Sequence, residues 1–140
     1  MVGRLAAIFV LGAGLGYGCD CYTQNVRITR KSADIIFQGK IVAFRTADDG
    51  QRKAVFSVER VWKGDVPATF EMFAWEGGMG CVSFPRGLLE VGNELLVYAR
   101  RIESDYMTDE CSRTALVSKT SDRVELGCGH APKAKSAQIR

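Results

Sequence analysis

A small, mostly β domain is what this sequence predicts, and three observations predict it. Segments rich in Ile, Val and Phe recur along the chain with turn-forming residues between them. Helical patterning is confined to short stretches. Five cysteines, all at position 19 or later, follow an apolar leader, so disulfides are expected to reinforce the core that the strands build.

The 140 residues suit one domain. Residues 1–18 read as an export signal. Arg4 gives a positive start, Leu5 to Leu15 is apolar, and Gly16-Tyr17-Gly18 supplies small residues at the −3 and −1 positions of a cleavage site. The Gly content suits a buried helix poorly, and the apolar run falls short of the ~20 residues of a membrane span. Cleavage after Gly18 leaves Cys19 as the first of 122 residues, and the loss of Arg4 lowers the formal charge from +3 to +2. So small a surplus gives no argument for nucleic acid or an anionic membrane as partner, and no nucleic-acid partner is expected. A secreted or periplasmic location follows.

The elements come in order. Arg27 to Ser32 is basic and polar, a turn or short helix. "ADIIFQGKIVAF", Ala33 to Phe44, alternates polar Gln38 and Lys40 with Phe37, Gly39 and Ile41, which predicts a strand. Asp48-Asp49-Gly50 is a turn, and Lys53 to Trp62 returns as the second strand of a hairpin. Neither alternate face of that strand stays apolar, so a β-bulge near Glu59-Arg60 is expected to switch the inward face. Ala68 to Trp75 is a third strand, Glu76 to Gly80 a Gly-rich loop, and Glu94 to Arg101 a fourth strand. Arg113 to Val117 is expected as a short fifth strand. Asp122 to Gly127 reads as a short helix, with Asp122 as cap, Glu125 three residues on, and Gly127 past its end. The domain is expected to span 19–128, and residues 129–140, small and basic, to form a disordered tail. Five short strands with short flanking helices point to a disulfide-stapled five-stranded Greek-key barrel, the OB-fold.

Cys19-Asp20-Cys21 raises the functional question. The two cysteines are too close to pair with each other without strain, so each needs a distant partner, and with five cysteines the spacing does not fix which. The pair can be a structural anchor, a metal ligand pair, a lipid attachment point or a redox centre. Gly16 stands where a lipobox needs a larger aliphatic residue, and no thioredoxin-like pattern surrounds the C-x-C. Cys128 is a free thiol, an intermolecular link or a local partner. A zinc site of the chain's own or a Ser-His-Asp triad is hard to build around the single histidine, His130. Trp62 and Trp75 read as core or rim residues, and Arg100-Arg101 and Lys133 to Arg140 as solvated charge.

The ordered set "CDC", "ADIIFQGKIVAF", "FSVERVWKG", "CVSF", "GNELLVYA", "CSRT" and a closing "LG" resembles the tissue inhibitor of metalloproteinases family. More broadly it is similar to the netrin-type (NTR) domain superfamily, including exported bacterial single-domain members. The likeness spans roughly Cys19 to Gly127. It implies a five-stranded OB barrel in which Cys19 pairs with Cys81 and Cys21 with Cys111. It also implies inhibition of a zinc metalloendopeptidase. The α-amine and carbonyl of Cys19 would chelate the protease zinc, Asp20 would reach its specificity pocket, and Cys21 and Tyr22 would flank the contact.

Three departures bear on that implication. The family usually carries a small residue where this chain has Asp20, and a Pro-containing strip where it has Tyr22-Thr23-Gln24-Asn25. The family's third bridge lacks its early cysteine, near Lys31, which leaves Cys128 without a partner. The expected function is therefore an exported, non-enzymatic protein-binding module without a cofactor of its own, acting as a metalloprotease inhibitor through Cys19. The alternative is an envelope structural or interaction domain that shares the barrel but not the inhibition.

Overall fold

The computed structural model describes residues 19–22, 24–76 and 81–134; the proposed export signal and residues 135–140 lie outside the described residues. The strands are β1 (Ile35–Thr46), β2 (Arg52–Lys63), β3 (Thr69–Phe73), β4 (Glu94–Ile102), β5 (Asp105–Met107) and β6 (Ala115–Leu116), with helices α1 (Val26–Ser32) and α2 (Asp122–Leu126). The sheet is antiparallel in the order β3-β2-β1-β4-β5, with β6 set against β4 off that path. It curls into a half-barrel.

The curl has a local cause. Gln38 pairs with Arg60 and Gly39 with Val58, so Glu59 is an extra residue in β2, and the buried set passes from Ala54, Phe56 and Val58 to Val61. Two further shifts, opposite Ile36/Phe37 and Ile41/Ala43, bend the same hairpin. Phe37, Ile41, Phe56, Met72, Leu95 and Val97 fill the concave side. Across the open side β5 meets β3 and β2 through side chains: Phe70 of β3 lies edge-on to both Phe37 and Tyr106, and Lys53 of β2 pairs with Asp105 at 3.0 Å.

The convex side of β1, β2 and β4 is also buried. Ile36, Trp62, Leu96 and Tyr98 pack against Val26 and Ala33 from α1 and its cap, and against Leu126 of α2. Asn25 caps α1, its Oδ1 accepting from Ile28 N at 2.9 Å.

Four expectations change. The strand expected over Arg113 to Val117 shrinks to Ala115–Leu116, because Arg113 has left-handed backbone (φ 71°) and a 3₁₀ turn begins at Val117. The fifth strand of the main path is Asp105–Met107, too short to show alternation; Glu103 (φ 56°) makes the turn before it. Asp122 is not the cap of α2: Ser121 holds that position, and Asp122 is buried inside the first turn. The disordered tail is corrected for 129–134. His130 exchanges two backbone hydrogen bonds with Val61, and Lys133 bonds to Val66 and Ala68. This segment carries no apolar pattern because backbone groups, not side chains, hold it.

Candidate functional site

Cys19, Asp20, Cys21 and Tyr22 form one extended strip on the surface. Cys19 is joined to Cys81 across 62 positions and Cys21 to Cys111 across 90, with Cα–Cα distances of 5.6 and 5.3 Å. The two receiving loops are themselves tied together. Glu110 N donates to Cys81 O at 3.0 Å, and Ser83 Oγ donates to Glu110 Oε1 at 3.1 Å. Asp109 Oδ1 accepts from Cys111 N at 2.9 Å, closing a side-chain turn under the second bridge. Cys81 takes left-handed backbone (φ 64°), unusual for a residue with a Cβ.

Each bridge removes entropy from the unfolded chain. At these separations the chain-entropy model gives about 4 kcal/mol apiece. Because the bridged residues are neighbours of Asp20 on both sides, its backbone is fixed at two points, while its side chain is exposed. Tyr22 is 90 % exposed, and Val82 and Trp75 bring further exposed apolar surface beside the Cys81 bridge. Trp75 is set there by Phe84, whose N–H donates to its carbonyl at 2.7 Å.

The strip leaves the surface through Gln24. Its carbonyl accepts from Arg113 Nη1 at 2.8 Å, and its side-chain oxygen accepts from Thr29 Oγ1 at 3.3 Å. The rest of the Arg113 fork grips Asp122, with Nε on Oδ2 at 2.7 Å and Nη2 on Oδ1 at 2.6 Å. Asp122 also accepts from the Tyr98 hydroxyl at 2.9 Å. The Arg113 hydrogen bond is the largest cause holding the Asp122 carboxyl below the usual carboxylate range, against the opposing effect of burial. Burial, and then the Asp122 hydrogen bond, push the Tyr98 phenol well above its ordinary value. Below this network, Thr108 and Thr114 hydroxyls bond to each other and to Tyr98 O, leaving the polar groups of this loop satisfied.

The structure thus brings Cys19, Asp20, Cys21, Tyr22, Cys81 and Cys111 to one edge. Cys128 is elsewhere, an exposed thiol outside both bridges. The sulfur of Cys19 is bonded to that of Cys81 and so does not carry a lipid thioether. Trp62 is buried, donating to Gly127 O, whereas Trp75 is 43 % exposed. Among the described residues no three His, Cys, Asp or Glu side chains converge as a metal site, and no helix is long and apolar enough to cross a membrane. A cavity beside the strip's exit, lined by Gln24, Thr29, Ser32 and Ser112, holds about 100 Å³. That is below the ~300 Å³ of a typical small-molecule pocket.

Arg113, Asp122, Tyr98 and Gln24 escape a reading of the sequence. Their positions have no motif spacing, and the only signal is an acidic residue at a helix start, which reads equally as a cap. Comparison with protein-family models gives no match, and comparison with curated proteins gives none.

Proposed function

We propose that the protein is an exported protein-binding module, and that its edge Cys19–Tyr22 inhibits a zinc metalloendopeptidase once processing after Gly18 frees the Cys19 amine. One observation carries this reading: Asp20 is exposed between two half-cystines, each covalently held by a different loop. A strip fixed in advance loses little freedom on binding. A catalytic zinc has an open position that accepts N and O donors, which the amine and carbonyl of Cys19 supply. The strand order β3-β2-β1-β4-β5, with β3 and β5 approaching across the open side, supports an OB-type barrel as the scaffold.

Asp20 restricts the target. A carboxylate driven into an apolar pocket loses its hydration without recompense. The protease that suits this chain therefore carries a guanidinium or ammonium group in the pocket beside its zinc. The test is inhibition by the processed chain and by Asp20→Ser, against zinc proteases with cationic and with apolar pockets. The expected result is inhibition of the first group by the native chain and a shift toward the second on substitution. Absence of inhibition by both forms against both groups overturns the reading.

Asp20 also favours the second reading, an envelope interaction domain that uses the same edge without touching zinc. Mass analysis of the exported protein separates the two in part: an acylated or uncleaved N-terminus leaves only this second function.

A further inference from the structure

We infer that Arg113 is a positioning residue for the binding edge, a non-covalent third clasp that locks the strip through Gln24 and, unlike the two disulfides, is released by acid. The inference rests on the reading of Cys19–Tyr22 as the binding edge, but it is tested on the strip itself and not on inhibition.

The geometry assigns each donor. One guanidinium reaches two elements at once: Nε and Nη2 take both oxygens of Asp122 at 2.7 and 2.6 Å, and Nη1 takes the carbonyl of Gln24 at 2.8 Å. Only a planar fork spaces three donors in this way; an ammonium is a point charge and cannot span both partners. The far end of the clasp is anchored in the interior: Asp122 is 4 % exposed and also accepts from Tyr98 of β4. The near end is the strip's sole attachment among the described residues between the Cys21 bridge and the Asn25 cap, apart from the Thr29 hydroxyl. Arg113 keeps left-handed backbone (φ 71°) to aim the fork, a conformation that costs energy in a residue with a Cβ. The bridge at Cys111 lies two residues away, so the covalent and ionic clasps share one loop.

The acid sensitivity follows from the groups that face Asp122. Arg113 comes from the loop, Tyr98 from β4 and Thr120 from the preceding turn, while Glu125 of α2 acts on Tyr98 and Arg113. The α1 side contributes Val26 and Ala33, which do not titrate. Asp122 is depressed below its unfolded value, so its contribution is complete above that value, about pH 4. It is lost as the pH falls through the lower, folded value. Protonation removes the charge that holds the guanidinium in place, and the hold on Gln24 goes with it.

The experiment is ¹⁵N relaxation on the processed chain with both disulfides intact. Backbone order parameters at Tyr22 and Gln24, the part of the strip beyond the Cys21 bridge, are compared with Phe37 in β1 as internal control. In the native chain the strip is expected near ~0.8 at neutral pH. In Arg113→Gln and Arg113→Lys it is expected below ~0.6, with Phe37 unchanged. Failure of Arg113→Lys to hold the strip separates aim from mere charge. Unchanged strip values in both variants overturn the inference. Should the variants not fold, titration of the native chain decides. Loss of strip order with the midpoint at which the Asp122 carboxyl ¹³C shift titrates, ahead of Phe37, supports the clasp. A strip that stays ordered past that midpoint, or that melts only together with Phe37, refutes it.

Discussion

Two segments without helix or strand flank the described domain, one through Cys19–Tyr22 and Gln24 and the other Gly129–Lys133, and they are fastened by opposite means. Among the described residues, none of the N–H groups of the first segment bonds to other backbone; two disulfides and the Arg113 fork hold it. The second carries four backbone hydrogen bonds, to Val61, Val66 and Ala68, helped by the Trp62 indole and the Arg60 guanidinium on the carbonyls just before it. A segment zipped by its backbone spends its hydrogen-bonding groups on the sheet and extends it. A segment held by side-chain links leaves most of its backbone groups unpaired with other backbone. On the proposed function the first segment presents N and O donors to a partner, whereas the second covers an edge.

Several experiments break or sharpen that contrast. The largest effect is expected from the bridges. Replacing Cys19 and Cys81 together with serine should cost about 4 kcal/mol, and Cys21 with Cys111 slightly more because it closes the longer loop. Urea unfolding of the two double variants measures this, and a cost below a quarter of that would mean the strip is ordered without its links. Next comes Gly129→Val. A Cβ at Gly129 would sit 2.7 Å from Val61 O, and the backbone there is left-handed (φ 62°). Release of the covering segment should cost on the order of 1–3 kcal/mol by steric strain. Hydrogen exchange at Val61 and Ala68 is the readout, and protection unchanged there would show the segment to be dispensable.

Asp122→Asn should act in the middle of the range. It keeps the hydrogen-bonding shape but removes the buried charge facing Arg113, so stability at neutral pH should drop by roughly 1–3 kcal/mol. The variant should also lose the part of the acid sensitivity that arises as Asp122 is protonated below about pH 4. A Tm-against-pH profile that falls as steeply in the variant as in the native chain would assign the acid sensitivity elsewhere. The smallest effect is expected from Lys133→Ala. Its ammonium meets Asp65 at 3.0 Å, but both side chains are largely exposed, so water and salt screen the pair. No measurable shift in Tm is expected, and a shift beyond ~2 °C would show that side chains, not backbone, fasten this segment.

The hairpin was legible in advance because its information is local. Gln38 and Lys40 against Phe37, Gly39 and Ile41 announce the inward face of β1, and the broken alternation at Glu59-Arg60 marks the extra residue in β2. The same locality explains the misreadings. Asp122 stands at a helix start in either role, and whether it caps that helix or receives Arg113 depends on a loop nine residues earlier in the chain. His130 and Lys133 offer no apolar pattern, and only the unpaired edge of β2 at Val61 and the segment after it at Val66 and Ala68 give their backbone somewhere to bond.

Composition and pattern by themselves determined that this chain is mostly β, where its long strands run, where β2 changes face, and that Cys19 and Cys21 do not pair with each other. The cysteine partners could be inferred only through a family likeness, since spacing left them open. Tertiary structure alone decided that one arginine clamps the exit of the exposed strip, that Asp122 is buried beneath it, and that the segment after Cys128 lies against β2. The reason is physical. Periodicity records which face of a strand avoids water, a property of neighbours in sequence, whereas a salt bridge or an edge pairing forms between groups that only the folded backbone brings within about 3 Å.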